Sequence, residues 1–233
     1  MERKYKTRDL LSILAYGLVM VLSQVFTKFL RARGAGDFIG SLHSLVLAFL
    51  LSIMLYLFYR EELGADYRLY KRRPLLNILI GLAGVVGIHL LLKLSRDFLN
   101  PAGSLGLLSG QDLDFDGGQS LGQMALVGLL PMFSAFIEEV IFRKLMIARL
   151  AKSPGAKILG LILSSFLFGL IHYYNLGSVY NTIPYMLVGL YFGLIYMLTG
   201  NIFYSLSIHF LNNFMLALLP LGLILVMNLM AKL

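Results

Sequence analysis

The sequence predicts an all-α fold, a polytopic transmembrane helical bundle of about eight spans, or seven if the short last segment does not cross. Three observations carry this reading. The 233-residue chain is 58% hydrophobic and 14% charged, whereas a soluble domain uses about 25% charged residues to cover its surface. Several apolar runs approach about 20 residues, the length that crosses the hydrocarbon core as a helix. The basic residues behind the net charge of +8 gather in short loops between those runs, as cytoplasmic loops do. That placement points to membrane lipid as the partner and not to nucleic acid.

The first span is read over Leu10–Leu30, after a basic start of Arg3, Lys4, Lys6 and Arg8. It is too long for a signal-peptide core, and Arg31-Ala32-Arg33-Gly34 is a poor cleavage site, so it reads as a retained helix. The second span, Phe38–Tyr59, leads into a basic loop with Arg60, Arg68, Lys71, Arg72 and Arg73, a cytoplasmic marker. The third, Leu75–Leu94, contains Gly81, Gly84 and Gly87, small residues that let helices approach closely. The loop over 95–120 then lies outside. Its Asp112-Leu113-Asp114-Phe115-Asp116-Gly117 run resembles the start of a calcium loop. The twelfth position is Gln123 where a bidentate Glu is needed, so the run reads as a solvated acidic loop.

Ser120 and Gln123 form a capping box ahead of an apolar run, which starts the fourth span at Leu121. Pro131 is expected to bend that span and open its backbone. The span ends in a basic stretch of Arg143, Lys144, Arg149, Lys152 and Lys157. The fifth, Lys157–Tyr173, closes with Phe168-Gly169-Leu170-Ile171-His172, and an uncharged loop, Tyr174–Thr182, leads to the sixth, Ile183–Leu198. Gly189 and Gly193 give the sixth span another close-packing face. Thr199-Gly200-Asn201 turns into the seventh, which carries Ser207, His209, Asn212 and Asn213. Pro220 and Gly222 set off a last apolar segment ending at Lys232. Eight crossings place both termini in the cytoplasm.

Glu138 and Glu139 lie inside the fourth span and are the only acidic residues from Gly117 onward. An ionisable group near the bilayer centre costs on the order of 3 kcal/mol, so such groups usually face a cavity and have a task. Residues four apart share a helix face, which pairs Glu139 with Arg143 and sets His209 beside Asn213. Glu138 is turned about 100° from Glu139. His172 lies one turn after Phe168. Brought together by the bundle, these residues fit hydrolysis by an activated water. A glutamate acts as general base with a histidine sharing the proton transfer, and a His and an Asn donate to a developing oxyanion. Plainer readings apply to single residues: His43 and His89 as interhelical hydrogen bonders, Asn212 and Asn213 as packing glue, Arg143 as a structural partner of Glu139. Two adjacent glutamates beside one arginine resist such a reading.

Other chemistries fit less well. The chain has no cysteine, which removes disulfides, thiolate metal sites and a cysteine nucleophile. It has no His-Glu-x-x-His zinc helix. No Asp falls within a span, which excludes an aspartic dyad, and Ser164 and Ser165 lack the glycine-flanked setting of a serine nucleophile.

Glu138-Glu139-x-x-x-Arg143, Phe168-x-x-x-His172 and His209-x-x-x-Asn213, in that order, resemble the type II CAAX prenyl endopeptidases. Bacterial relatives of that family are the Abi or bacteriocin-processing membrane proteases. The resemblance implies a protease core over 120–215 inside a single integral membrane domain, 1–233, with N-terminal helices and a loop over 1–119. It implies a glutamate-dependent intramembrane endopeptidase of the cell membrane, its cavity open to the cytosolic side. The substrate it implies is a peptide, or a prenylated protein that loses its C-terminal tripeptide. Carried over by position, Glu138 activates the water with His172 assisting, and His209 and Asn213 hold the oxyanion. Glu139, Arg143 and Phe168 support the site. No cofactor is expected. A zinc protease using Glu138, His172 and His209 is one alternative, and a non-catalytic membrane scaffold or immunity protein is another. A transporter fits less, because the polar groups cluster toward one side and do not line a path between inverted repeats.

Overall fold

A computed structural model of the chain describes residues 2–34, 36–99, 120–149 and 153–231. The acidic run Asp112–Gly117, Lys152, Lys232 and the side chains of Arg3, Lys4 and Lys6 lie outside the described residues. Every element described is a helix. In chain order they are α1 (Glu2–Ala32), α2 (Asp37–Tyr70), α3 (Pro74–Leu99), α4 (Leu121–Val127), α5 (Leu130–Glu138) and a π-helix (Glu139–Arg149). Then come α6 (Pro154–Leu170), α7 (Tyr173–Leu176), a 3₁₀ turn (Tyr180–Thr182), α8 (Ile183–Thr199), α9 (Ile202–Ala217) and α10 (Leu219–Met230).

Among the described residues, six stretches are long and apolar enough to cross a membrane: Thr7–Ala32, Asp37–Tyr70, Pro74–Leu99, Leu121–Arg149, Tyr180–Thr199 and Ile202–Met230. Pro154–Leu170 is a shorter apolar helix. The count differs from the expected eight because the fifth expected span is this shorter helix and because Pro220 does not end a span. It is the second residue of α10, where no intrahelical partner awaits an N–H. Leu218 N–H donates to Phe214 O at 3.0 Å and Gly222 N–H to Leu218 O at 3.1 Å, so hydrogen bonding carries across the junction.

Three further differences have local causes. α2 continues past Tyr59 through the stretch expected to be a loop, since Arg60, Glu61, Glu62, Leu63 and Ala65 are good helix formers. α6 begins at Pro154 and not at Lys157: Ser153 caps it, accepting from Ala156 N at 3.2 Å, and proline suits the first helical position. The fourth span begins as expected with its capping box, in which Gln123 N donates to Ser120 Oγ at 3.2 Å and Ser120 N to Gln123 Oε1 at 2.8 Å. It breaks at Gly128 and Leu129, just ahead of Pro131, and beyond Glu138 its winding changes from α to π. Every residue from Glu139 to Ile147 is buried, so this stretch is enclosed on all faces.

The described residues fall into two compact units. One comprises α1, α2 as far as Arg60, α4, α5 as far as Ile137, and the chain from Asn212. Within it Tyr59 OH donates to Asp9 Oδ1 at 2.9 Å and lies 3.0 Å from Ser12 Oγ, joining α1 to α2. His43 packs on Phe26 with its Nδ1 buried and without a hydrogen-bond partner among the described residues, not in the interhelical bond expected of it.

The other unit takes α2 from Glu61, α3, and the chain from Glu138 to Leu211. Here α8 packs against both α3 and α6. The expected glycine contacts are present. A Cβ on Gly84 would stand 2.4 Å from Ile208 Cδ1, one on Gly193 2.3 Å from Leu161 Cδ1, and one on Gly189 3.0 Å from Ser165 O. His89 Nδ1 bonds to Val85 O of its own helix at 3.0 Å, so it too is not the interhelical bonder expected. At one end of this unit Lys144 Nζ meets Asp66 Oδ2 at 2.9 Å, Arg149 pairs with Glu62, and Asn201 Nδ2 donates to Asp66 O at 2.7 Å. At the other end Tyr180 OH donates to Leu99 O at 2.6 Å. The π-helix finishes at the first end and the chain after α6 arrives at the second, so α6 traverses the unit.

Candidate active site

The π-helix, α6, α8 and α9 each contribute to one buried polar cluster in the second unit. Glu139 and Arg143 open the π-helix and pair as expected, Arg143 Nε lying 3.4 Å from Glu139 Oε2 with both side chains at most 1% exposed. A charge pair this deep requires further partners to offset its lost hydration. Arg143 Nη2 donates to Gly189 O at 3.2 Å. Its guanidinium also lies 4.6 Å from the Phe168 ring centre and 5.2 Å from that of Phe192, a cation–π setting that desolvation strengthens.

His209 stands between the two glutamates. Its Nδ1 is 3.1 Å from Glu139 Oε1 and its Nε2 is 3.8 Å from Glu138 Oε2. The angular offset between the glutamates therefore does not separate them; it directs them to opposite nitrogens of one ring. That ring stacks on Phe192 at 4.7 Å and 20° and meets the Phe168 ring at 5.8 Å. Phe168, 2% exposed, is the hub of the cluster, since its ring also lies 5.4 Å from His172.

His172 sits just past the end of α6. Its Nδ1 is 2.9 Å from Phe168 O. A carbonyl oxygen only accepts, so Nδ1 carries the proton and Nε2 is the basic atom of the neutral ring. The ring lies flat on Tyr185 at 4.2 Å and 24°.

Sequence reasoning missed three contributors on α8. Tyr185 stacks on His172, the Gly189 carbonyl caps Arg143, and Phe192 stacks on His209. Their spacing of four and then three residues marks one helix face, which is the signal available in the sequence. Gly189 read there only as a packing residue.

Residues 120–215 match the family model described as type II CAAX prenyl endopeptidase, Rce1-like. Over that stretch the chain is similar to this family. No curated protein and no solved structure matches it. The family is one of membrane proteases, in keeping with the long apolar helices.

Within the matched stretch, Asn213 belongs to the first of the two units, where its Nδ2 donates to Pro131 O at 2.9 Å. That contact uses the carbonyl of the proline expected to open the span. Among the described residues no three His, Asp or Glu side chains are grouped closely enough to hold a metal ion.

Proposed function

We propose that the chain is an intramembrane endopeptidase in which Glu138 activates a water for attack on a peptide bond near the membrane surface. The observation that carries this reading is the division of labour around His209. Glu139 is engaged by Arg143 and by His209 Nδ1, while Glu138 faces the other ring nitrogen across 3.8 Å. That gap exceeds hydrogen-bond length, and a water at its side bridges such a separation.

In the proposed reaction Glu138 takes a proton from that water as its oxygen bonds to the scissile carbonyl carbon. The carbonyl oxygen becomes an oxyanion, held by donors in the roles carried over to His209 and Asn213. The proton then passes to the leaving nitrogen, the C–N bond breaks, and a new carboxylate and amine result. His172, with Nε2 basic, assists proton movement. Glu139, Arg143 and Phe168 hold His209 in place. No cofactor enters these steps.

The proposed substrate is a peptide, either a prenylated protein losing its C-terminal tripeptide or an unprenylated peptide of the prokaryotic type. Access is proposed from the cytosolic side. His209 lies eight residues beyond Asn201, about 12 Å along α9, and Asn201 is tied to the end of the unit where Lys144 and Arg149 gather.

The test is cleavage of a quenched farnesylated CAAX peptide by detergent-solubilised protein, wild type against Glu138→Ala, with and without chelator. Cleavage that survives chelation and is lost in the variant supports the reading. Loss on chelation, restored by zinc, replaces it with the metal mechanism. A variant as active as wild type sinks the role of Glu138.

A further inference from the structure

α8 serves as a ruler for the second unit. Thr199 and Asn201 mark one end, then Phe192 stands at His209, Gly189 at Arg143, Tyr185 at His172, and Tyr180 at Leu99. α3 runs alongside in the opposite direction, pinned at two points: Tyr191 OH donates to Gly84 O at 3.3 Å and Tyr180 OH to Leu99 O at 2.6 Å. Arg96, in the last turn of α3, is thereby brought toward the end of α8 that carries Tyr185.

Arg96 is part-buried, and its Nε is fully enclosed without a hydrogen-bond partner. Among the described residues it makes no ion pair, since the adjacent Asp97 is taken by Lys93 at 2.9 Å. A buried guanidinium donor left unmatched is expensive, and its planar fork suits a carboxylate. At the same end of α8, Tyr185 stacks on His172. From Phe192 to Tyr185 is about 10 Å along the helix, and an extended tripeptide reaches about 10 Å.

We propose that Arg96 binds the free C-terminal carboxylate of the substrate. The His172–Tyr185 pair then floors the channel that holds the residues released by cleavage. A substrate entering from the end of Lys144 and Arg149 meets Glu138 and His209 first and arrives at Arg96 with its C-terminus leading. The inference rests on the protease reading and adds a specificity residue to it: the enzyme counts back from a carboxylate.

Binding and cleavage of one farnesylated peptide, made with a C-terminal acid or a C-terminal amide, test the proposal. Fluorescence anisotropy is measured in the Glu138→Gln background, where the peptide stays whole. The acid should bind about ten- to hundredfold tighter than the amide, the range of a charge-assisted hydrogen bond. Arg96→Gln should lower acid affinity to the amide level and leave amide affinity unchanged, while Arg96→Lys keeps part of the preference. In cleavage, Arg96→Gln should raise KM for the acid with little change in kcat. Equal binding of acid and amide by the parent, failure of both to bind, or an unchanged acid preference in a natively melting Arg96→Gln protein would each overturn the site. If Arg96→Gln does not fold, the acid–amide comparison on the parent and on Arg96→Lys decides. Acid preference that depends on Arg96 without any cleavage by wild type would uphold the carboxylate site and sink the protease reading; cleavage without acid preference would do the reverse.

Discussion

Glu139 and Arg143 are each at most 1% exposed, and at that depth removing one partner strands the other. Arg143→Met should cost about 3–5 kcal/mol, because it leaves Glu139 buried without its arginine. Glu138→Gln keeps the shape and hydrogen-bonding capacity of its side chain and should melt close to wild type while losing cleavage. Circular dichroism melting of the two variants in one detergent separates a structural carboxylate from a chemical one. If Arg143→Met melts like wild type, or Glu138→Gln melts far below it, that division between the glutamates is wrong. The sequence pointed to the Glu139–Arg143 pair by spacing alone. It carried no sign that His209 would lie between the glutamates, because that contact joins residues 70 positions apart.

Helix packing sets how finely His172 and Tyr185 can be aligned. α6 and α8 approach closely at Gly169, where an added Cβ would stand 2.1 Å from Met186 Cγ and 2.8 Å from Met186 N. The second of these atoms is backbone and cannot swing aside, so the helices themselves must part. Gly169→Ala should cost about 1–3 kcal/mol, as overpacking does, and should lower cleavage by moving Phe168 and His172 away from α8. Gly155→Ala, at the start of the same helix with nothing within 4 Å of the new Cβ, should leave melting and cleavage unchanged and so serves as the control. Equal melting of the two variants would show that α6 and α8 are not held at this contact. The glycine faces on α3 and α8 were legible from composition and spacing. The π-winding from Glu139 to Arg149 was not, because it depends on enclosure from every side and not on local propensity.

At the scale of the molecule, the number of crossings decides where the chain ends. Eight keep both termini in the cytoplasm. Six candidate spans, with α9 and α10 as one stretch, would make seven if the shorter α6 also crosses, and an odd count would put the C-terminus on the face opposite the N-terminus. The positive-inside pattern leads us to expect the basic start of the chain and the stretch around Lys144 on the cytosolic side. A phosphatase fused after residue 233 should therefore be active and a green fluorescent protein there dark; the reverse would restore the eighth crossing.

Composition and hydropathy alone were enough to make this chain a membrane-embedded helical protein, because a sequence with few charges cannot solvate a surface and apolar runs of that length must cross as helices. Spacing within single helices paired Glu139 with Arg143, Phe168 with His172 and His209 with Asn213, since residues one turn apart share a face, and the resemblance to the CAAX prenyl endopeptidases gave these residues and Glu138 their expected roles. What tertiary structure alone decided is which of these meet. It placed both glutamates on one histidine, made Phe168 the hub, recruited Tyr185 and Phe192 from a helix with no Asp, Glu, His, Lys or Arg, and left Arg96 without an ion-pair partner among the described residues. Those outcomes depend on the rotation and register of helices distant in sequence, which periodicity within one helix does not encode.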